Sequence, residues 1–411
     1  MKRFYSIILA LVLGFQGFAQ MQNHEVAQEQ SYAKDVFFSF RDGVVKSSDR
    51  ASWDLAFSTE AFSAAVLLNN GAGAMAWAHP ETDTTQWSQP VDTTGLSTWT
   101  PLFNSDTTWE EGAFNQLASG HPDYGWGLYN MLDHNVYGHR MFVIKTIDGL
   151  YKKLWIKKKT SAALLYEVAI SDLDHSNEAV LDLDAATHSS ENFAYYSIAN
   201  NEMVDYEPAS DSWDIVFSRY YDVEIPYYVT GVLHNYQTSV AEVLGVDPSF
   251  SDTTGLFYSE SIKTIGSDWK AFDMGSMSWS VNTNTVYFVK TQHGEIYRMG
   301  FTEFEGQGTG ITRFWSEAIV QVGMESFATE YALRVFPNPV NSEFFVEGLN
   351  SDKETVMMKL FNQQGSEVIG ITAQPLAGRT RFTLPSNLAS GIYFLQLTTG
   401  NNTVTKKIVK Q

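Results

Sequence analysis

Trp53-Asp54-Leu55-Ala56-Phe57 returns as Trp213-Asp214-Ile215-Val216-Phe217, and in both places an Asp-Thr-Thr-Gly-Leu run begins 39 residues after the tryptophan, at Asp92 and at Asp252. Two matches at one spacing mark an internal duplication. Working outward, an aromatic strand with a serine precedes each tryptophan, Phe37-Phe38-Ser39-Phe40 in the first copy and Tyr195-Tyr196-Ser197-Ile198 in the second. Downstream, Met141-Phe142-Val143-Ile144-Lys145-Thr146 with Gly149 answers Val286-Tyr287-Phe288-Val289-Lys290-Thr291 with Gly294, and Lys153-Leu154 answers Arg298-Met299. A repeat of this length is too long for a solenoid and fits two domains of ordinary size.

Within each motif the alternate positions Trp213, Ile215 and Phe217 are assigned to one sheet face and to the core, with Asp214, like Asp54, facing the other way. An acidic residue so placed is read as capping a turn or pairing with a strand lysine. No second carboxylate recurs at fixed spacing in both copies, which argues against a glycosidase pair. No zinc-protease helix motif, Gly-x-Ser-x-Gly elbow or P-loop is present, so the chain is read as a non-enzyme.

Composition points the same way as the motifs. Aromatics make up 14% of residues and charged residues only 18%, a balance suited to short strands on packed, pleated surfaces. The longest stretch with helical character runs from Asp106 to Leu117. The net charge of −20 would repel nucleic-acid phosphates and anionic lipid. The chain has no cysteine, which excludes disulfides, thiolate metal sites, cysteine nucleophiles and a lipidated cysteine anchor.

The N-terminus reads as a secretory signal over residues 1–19: Lys2-Arg3, an apolar stretch from Ile7 to Phe15, then Gly17-Phe18-Ala19. That apolar run is shorter than the roughly 20 residues a membrane-spanning helix needs. The far end is a separate module at 335–411. Phe336-Pro337-Asn338-Pro339 opens an alternating run, Met357 to Ile369 reads as a hairpin turned at Gly365, and Gly391 to Leu397 pairs with Thr403 to Lys410. The Pro-Asn-Pro opening, Gly365, the Gly391-Ile392-Tyr393-Phe394 strand and the Lys406-Lys407-Ile408-Val409-Lys410 terminus together resemble the C-terminal sorting domain, subtype A, of the type IX secretion system of Bacteroidota. The resemblance implies an Ig-like β-sandwich, export across the outer membrane after Sec-type passage to the periplasm, and a secreted or cell-surface destination. It also implies the type IX machinery as a partner.

The duplicated region, through its Trp-Asp-Ile-x-Phe and Val-Tyr-Phe-Val-Lys-Thr-x-x-Gly strands, resembles the HmuY-like family of all-β proteins, whose best-known members bind haem. The expected organisation is therefore all-β, with HmuY-like domains at 35–172 and 191–322, an acidic linker at 173–190 and a second linker at 323–334. Haem requires an axial donor, and the family supplies histidine or methionine from loops between the Trp-Asp and Lys-Thr strands. Here that interval holds Met75, His79, His121, Met131, His134 and His139 in the first copy and His234, Met274 and Met277 in the second. Met75, His79, His134 and His234 are the axial candidates, against the plainer readings of solvated loop histidines and core methionines. The alternative is a surface adhesin or polysaccharide binder, for which Trp77, Trp87, Trp99, Trp109 and Trp126 would have to share an exposed groove. Asp172-Leu173-Asp174 and Asp182-Leu183-Asp184 lack the glycine turn and terminal glutamate of a calcium loop and are read as solvated linker.

Overall fold

The computed structural model describes residues 21–79, 84–319 and, with short gaps, 334–410. The chain divides into two compact units, one running to Ile319 and one starting at Val320. Both are built from antiparallel strands, and helical turns among the described residues are short 3-10 segments.

Among the described residues the first unit contains five sheets, and in two of them strands of the two copies pair with each other. The first-copy aromatic strand Lys34–Ser39 pairs with the second-copy Trp-Asp strand Ile215–Asp222, in the register Phe38↔Ile215, Phe37↔Val216 and Val36↔Phe217. Reciprocally, the second-copy aromatic strand Phe193–Ser197 pairs with the first-copy strand Leu55–Ser58, Tyr195 lying opposite Ala56. The N-terminal strand Gln22–Ala27 likewise joins Ile311–Ala318. Residues 35–172 and 191–322 thus do not fold as two successive bodies, because each copy completes the other's inner sheet. Each Trp-Asp edge is thereby paired with the aromatic strand of the other copy.

This arrangement explains why the aromatic strands read as continuous apolar runs rather than alternating ones. Phe38, Ile215 and Phe217 enter one outer core with Met299 and Phe314. Leu55, Phe57 and Tyr196 enter the other with Phe142, Leu154 and Val168. Their neighbours Phe37, Ala56, Tyr195 and Val216 meet in a third core, shared between the copies. The inner strands are therefore buried on both faces, as sheets covered on both sides require.

Three expectations change at this level. Trp53 and Trp213 belong to the middle core, with Val216, and not to the face of Ile215 and Phe217. Pairing in the strand starts after the aspartate, so the period-two rule does not reach back to the tryptophan. The acidic stretch 173–190 contains the strand Ala179–Asp184, paired with Leu165–Asp172, with Leu183 in the core. Residues 106–117 form a loop with one 3-10 turn, Ala113–Asn115, because the buried Asn115 amide accepts from Val66 N and donates to Ala64 O, tying the backbone to neighbouring loops.

The second unit has a three-stranded sheet of Arg334–Phe336, Glu343–Asn350 and Ala377–Thr383 and a four-stranded sheet ordered Glu367–Thr372, Val356–Phe361, Gly391–Thr399 and Asn402–Lys410. Both expected hairpins form, with Gly391 opposite Lys410. Phe344, Met358, Leu360, Tyr393, Leu395 and Ile408 fill its core. Of the sorting-motif positions, the Asn338 Oδ1 accepts from Val409 N at 2.9 Å, Tyr393 donates to Ala389 O, and Lys406 is exposed. Phe336 and Lys407 occupy strands opposite Phe345 and Phe394. Pro337, Pro339, Gly365 and the leader 1–19 lie outside the described residues.

Candidate functional site

The repeated residues hold the body together. Asp54, fully buried, accepts from the backbone N–H of Ile147 at 2.9 Å and of Ile198 at 2.8 Å, the latter just beyond the other copy's aromatic strand. Asp214 accepts from Phe40 N at 2.8 Å, the corresponding residue of the first copy. Burial raises both carboxyls above the usual range, and these N–H groups pull them back. Each aspartate caps a turn at the point of exchange. Lys153 and Arg298 form a second equivalent pair. Lys153 Nζ donates to Trp87 O at 2.7 Å and Gln89 O at 2.9 Å, and Arg298 Nη1 donates to Pro248 O at 2.5 Å and Phe250 O at 3.1 Å. Both cations pin the loop ahead of an Asp-Thr-Thr-Gly run.

Between the copies, in the middle core, lies a cavity of about 90 Å³. Trp53, Trp213, Tyr195 and Tyr206 line it, and its charged lining residues are Asp35, Glu207 and Arg219. The two tryptophans get there through the switch of face at each aspartate. Trp53 meets Tyr195 edge-on at 4.9 Å and Trp213 meets Phe37 edge-on at 5.1 Å. The Trp213 indole N–H is buried without a hydrogen-bond partner among the described residues. Gly71 belongs to the same wall, and a Cβ there would stand 2.2 Å from the Arg219 carbonyl, so only glycine lets this turn sit on the strand.

Two polar networks flank the aromatics. Asp35 binds Arg50 through Nη2 at 2.6 Å and Nε at 2.8 Å, and the Tyr206 hydroxyl donates to the other carboxylate oxygen. Glu207 accepts from Asn192 Nδ2 at 2.6 Å, Tyr195 Oη at 3.1 Å and Phe193 N at 3.2 Å. Burial pushes its carboxyl up to about 8 in spite of these donors. Burial, reinforced by the neighbouring carboxylates, also raises the Tyr195 and Tyr206 phenols well above their usual range and keeps them neutral.

The haem candidates do not gather at this cavity. Met75 and His79 bracket the strand Met75–Ala78 of the first copy, and His79 sits edge-on to Trp99 at 5.4 Å beside a separate open cleft of about 320 Å³ that also includes Met141. His134 is exposed on a hairpin loop, its Nδ1 2.6 Å from the Tyr129 hydroxyl. His234 is buried, with Nε2 2.8 Å from Ser261 O and Nδ1 3.1 Å from Asn235 O, so backbone carbonyls face both ring nitrogens; burial lowers its pKa. Of the four, His79 alone lines one of these openings. No described group of three or more His, Cys, Asp or Glu side chains is placed to hold a metal ion.

The five first-copy tryptophans are likewise dispersed. Trp77, Trp87 and Trp126 are buried, Trp109 is half-buried at the central cavity, and Trp99 stands at the His79 cleft. Asp172 receives Lys152, Ser176 and Asn177 and so is already occupied. Tyr206, Glu207 and Arg219 were not visible as candidates in the sequence. For two of them the signal was mismatch between the copies: Tyr206 stands where the first copy has Ser48 and Arg219 where it has Thr59, whereas Glu207 matches the acidic Asp49 and gave none.

The secretion system C-terminal sorting domain family matches residues 334–411. No curated protein sequence matches the chain. Among solved structures, PorZ, a surface component of the type IX secretion system of Porphyromonas gingivalis, aligns at 11% identity and a TM-score of 0.17 over 69% of this chain and 44% of PorZ. A biofilm-associated protein BSP domain aligns at 10% identity and a TM-score of 0.16 over 96% of this chain and 82% of that domain. The chain thus spans less than half of PorZ, and at such scores neither structure bears on the fold. The family match coincides with the sandwich that carries Asn338, Tyr393 and Lys406, and it makes the C-terminal module a type IX secretion sorting domain and the protein an exported cargo of that system.

Proposed function

We propose that the exported body is a non-catalytic binding protein that holds a small ligand in the cavity between its two copies, on a scaffold of the HmuY-like kind. The carrying observation is the cavity itself: an aromatic chamber at the centre of the interleaved body, with the unpartnered Trp213 indole N–H in its wall. Small-ligand sites are typically apolar recesses with a few fixed polar groups, usually of about 300–1,000 Å³, so a chamber of about 90 Å³ suits only a very small ligand. Neither Asp35 nor Glu207 is free to act as a base, since Asp35 is ion-paired and Glu207 is held by three donors. That favours binding over turnover.

Haem, the ligand implied by the HmuY-like resemblance, draws less support from the geometry, because Met75, His79, His134 and His234 do not converge and the central cavity has no His or Met in its lining. A polysaccharide is supported less still, as the tryptophans share no exposed groove. The Lys2-Arg3 leader is read as delivering the chain by Sec-type export to the periplasm before the sorting domain directs it outward.

The test is a small-molecule panel screened by thermal unfolding of the mature protein against a Ser218→Trp variant, which fills the half-buried cavity mouth. A ligand at about 100 times its Kd should stabilise the unmodified protein by about 2.7 kcal/mol. The variant should lose this response while keeping its own fold. Equal stabilisation of both proteins would contradict a central site, and a Soret band lost on His79→Ala substitution would restore the haem reading.

A further inference from the structure

We infer that a second opening of the exported body, the cleft between the turns at 60–63 and 235–238, binds a short neutral sugar stacked on Phe62. This goes beyond the central-chamber reading and stands apart from it. The cleft measures about 430 Å³, within the roughly 300–1,000 Å³ usual for small-ligand sites, and both copies contribute to its walls. Its first-copy turn is fixed from beneath. The wholly buried Lys159 donates through Nζ to the carbonyls of Glu60 and Ser63, and the Ser63 N–H closes the turn on Glu60 O at 3.3 Å. Burial brings that ammonium down to about 8, the mark of its desolvation. A buried cation is thus committed to a turn whose outermost side chain, Phe62, is 100% exposed. Among the described residues nothing covers that ring.

The polar groups around Phe62 select the chemistry of the occupant. No lysine, arginine or histidine lines the cleft, whereas Glu60 and Glu110 do, so an anion would meet two carboxylates and no cation. Glu110 reaches the Tyr236 hydroxyl; burial, and then that carboxylate, raise the phenol above its usual range. The floor is rigid. Asn192 Nδ2 donates to Glu207 Oε1 at 2.6 Å and Asn235 Oδ1 at 2.8 Å, and Asn235 Nδ2 donates to Ser210 O at 2.7 Å and Trp213 O at 2.8 Å. At the rim, Gln292 Nε2 donates to Ser210 O at 2.8 Å and keeps its side-chain carbonyl unused among the described residues, while the exposed Gln237 amide has no described bond. Sugar hydroxyls donate and accept, which suits amides and carboxylates side by side, and the C–H face of the sugar ring covers an aromatic one. A cationic ligand would use the carboxylates and leave the amides idle. No tryptophan lines the cleft, so the stacking ring is Phe62.

The experiment applies the labelled mature protein to an array of neutral and uronate-bearing glycans and measures the affinity of each bound neutral glycan by calorimetry. At least one neutral glycan should bind, and its uronate-bearing counterparts should bind more weakly. Phe62→Ala should weaken binding about tenfold with thermal unfolding unchanged, since the ring lies in water, and Phe62→Trp should retain it. Ser218→Trp, at the mouth of the central chamber, should leave the affinity as it was. Binding of no neutral glycan, equal affinity in Phe62→Ala, or a preference for uronates overturns the inference and leaves the chamber reading standing. Loss of binding in Ser218→Trp also overturns it, by placing the sugar in the chamber.

Discussion

The two copies agree where they build the body and differ where they line its centre. Asp54 and Asp214 cap the exchanged strands, and Lys153 and Arg298 pin equivalent loops, so the shared residues account for how one copy grips the other. Around the cavity the equivalence fails: Asp35 faces Arg50 and Tyr206 on one side, whereas the second copy supplies Phe193 at the matching position and Glu207 near by. Duplication thus gives two interlocking halves, and divergence within the inner layer makes a single asymmetric chamber.

The largest effect is expected where that asymmetry is charged. Replacing Arg50 by Met leaves Asp35 buried without its cation, and the cost should be about 3–5 kcal/mol in urea unfolding; a loss under about 1 kcal/mol would mean that Tyr206 and water carry the carboxylate alone. The caps come next. Asp54→Ala leaves two part-buried N–H groups without their acceptor and should cost about 2–4 kcal/mol, whereas Asp214→Ala strands the single buried one at Phe40 and should cost about half as much. Equal losses would break the difference drawn between the two caps.

Glu207 predicts a smaller, pH-dependent effect. Its folded pKa, about 8, lies above the unfolded value of 4.5, so between those values the unfolded chain binds fewer protons and stability falls as pH rises. Glu207→Gln should remove this decline, its advantage over the parent protein growing steadily between about pH 5 and about pH 8. A pH-independent difference would place a charged carboxylate in the cavity. The smallest effect is expected for Arg298→Lys, since a lysine does the same work at position 153: about 1 kcal/mol, part of it from the lost ion pair with Glu317.

How much of this was legible in the sequence depends on whether a local rule or a choice of partner decided it. The all-β character, both hairpins of the sorting module and the turn-capping aspartates follow from alternation, turn residues and side-chain chemistry close in the chain. The exchange does not, because Val36 could pair with Phe57 or with Phe217, and the two Trp-Asp edges offer it nearly the same surface. The positions of Trp53 and Trp213 were misread for a related reason, a phase change at each aspartate that periodicity cannot see. The strand Ala179–Asp184 was hidden by its acidic residues, since its outer face is exposed at a sheet edge. The cavity was hidden because Asp35, Arg50 and Tyr206 meet only after exchange.

Strand exchange itself is open to a direct measurement in a chain without cysteine. Val36→Cys/Phe217→Cys places two thiols at paired positions of different copies, and Val36→Cys/Phe57→Cys places them as an unexchanged first copy would. After mild oxidation and peptide mapping, the account predicts a disulfide in the first variant and two free thiols in the second. A disulfide formed between positions 36 and 57, with positions 36 and 217 left free, would contradict it.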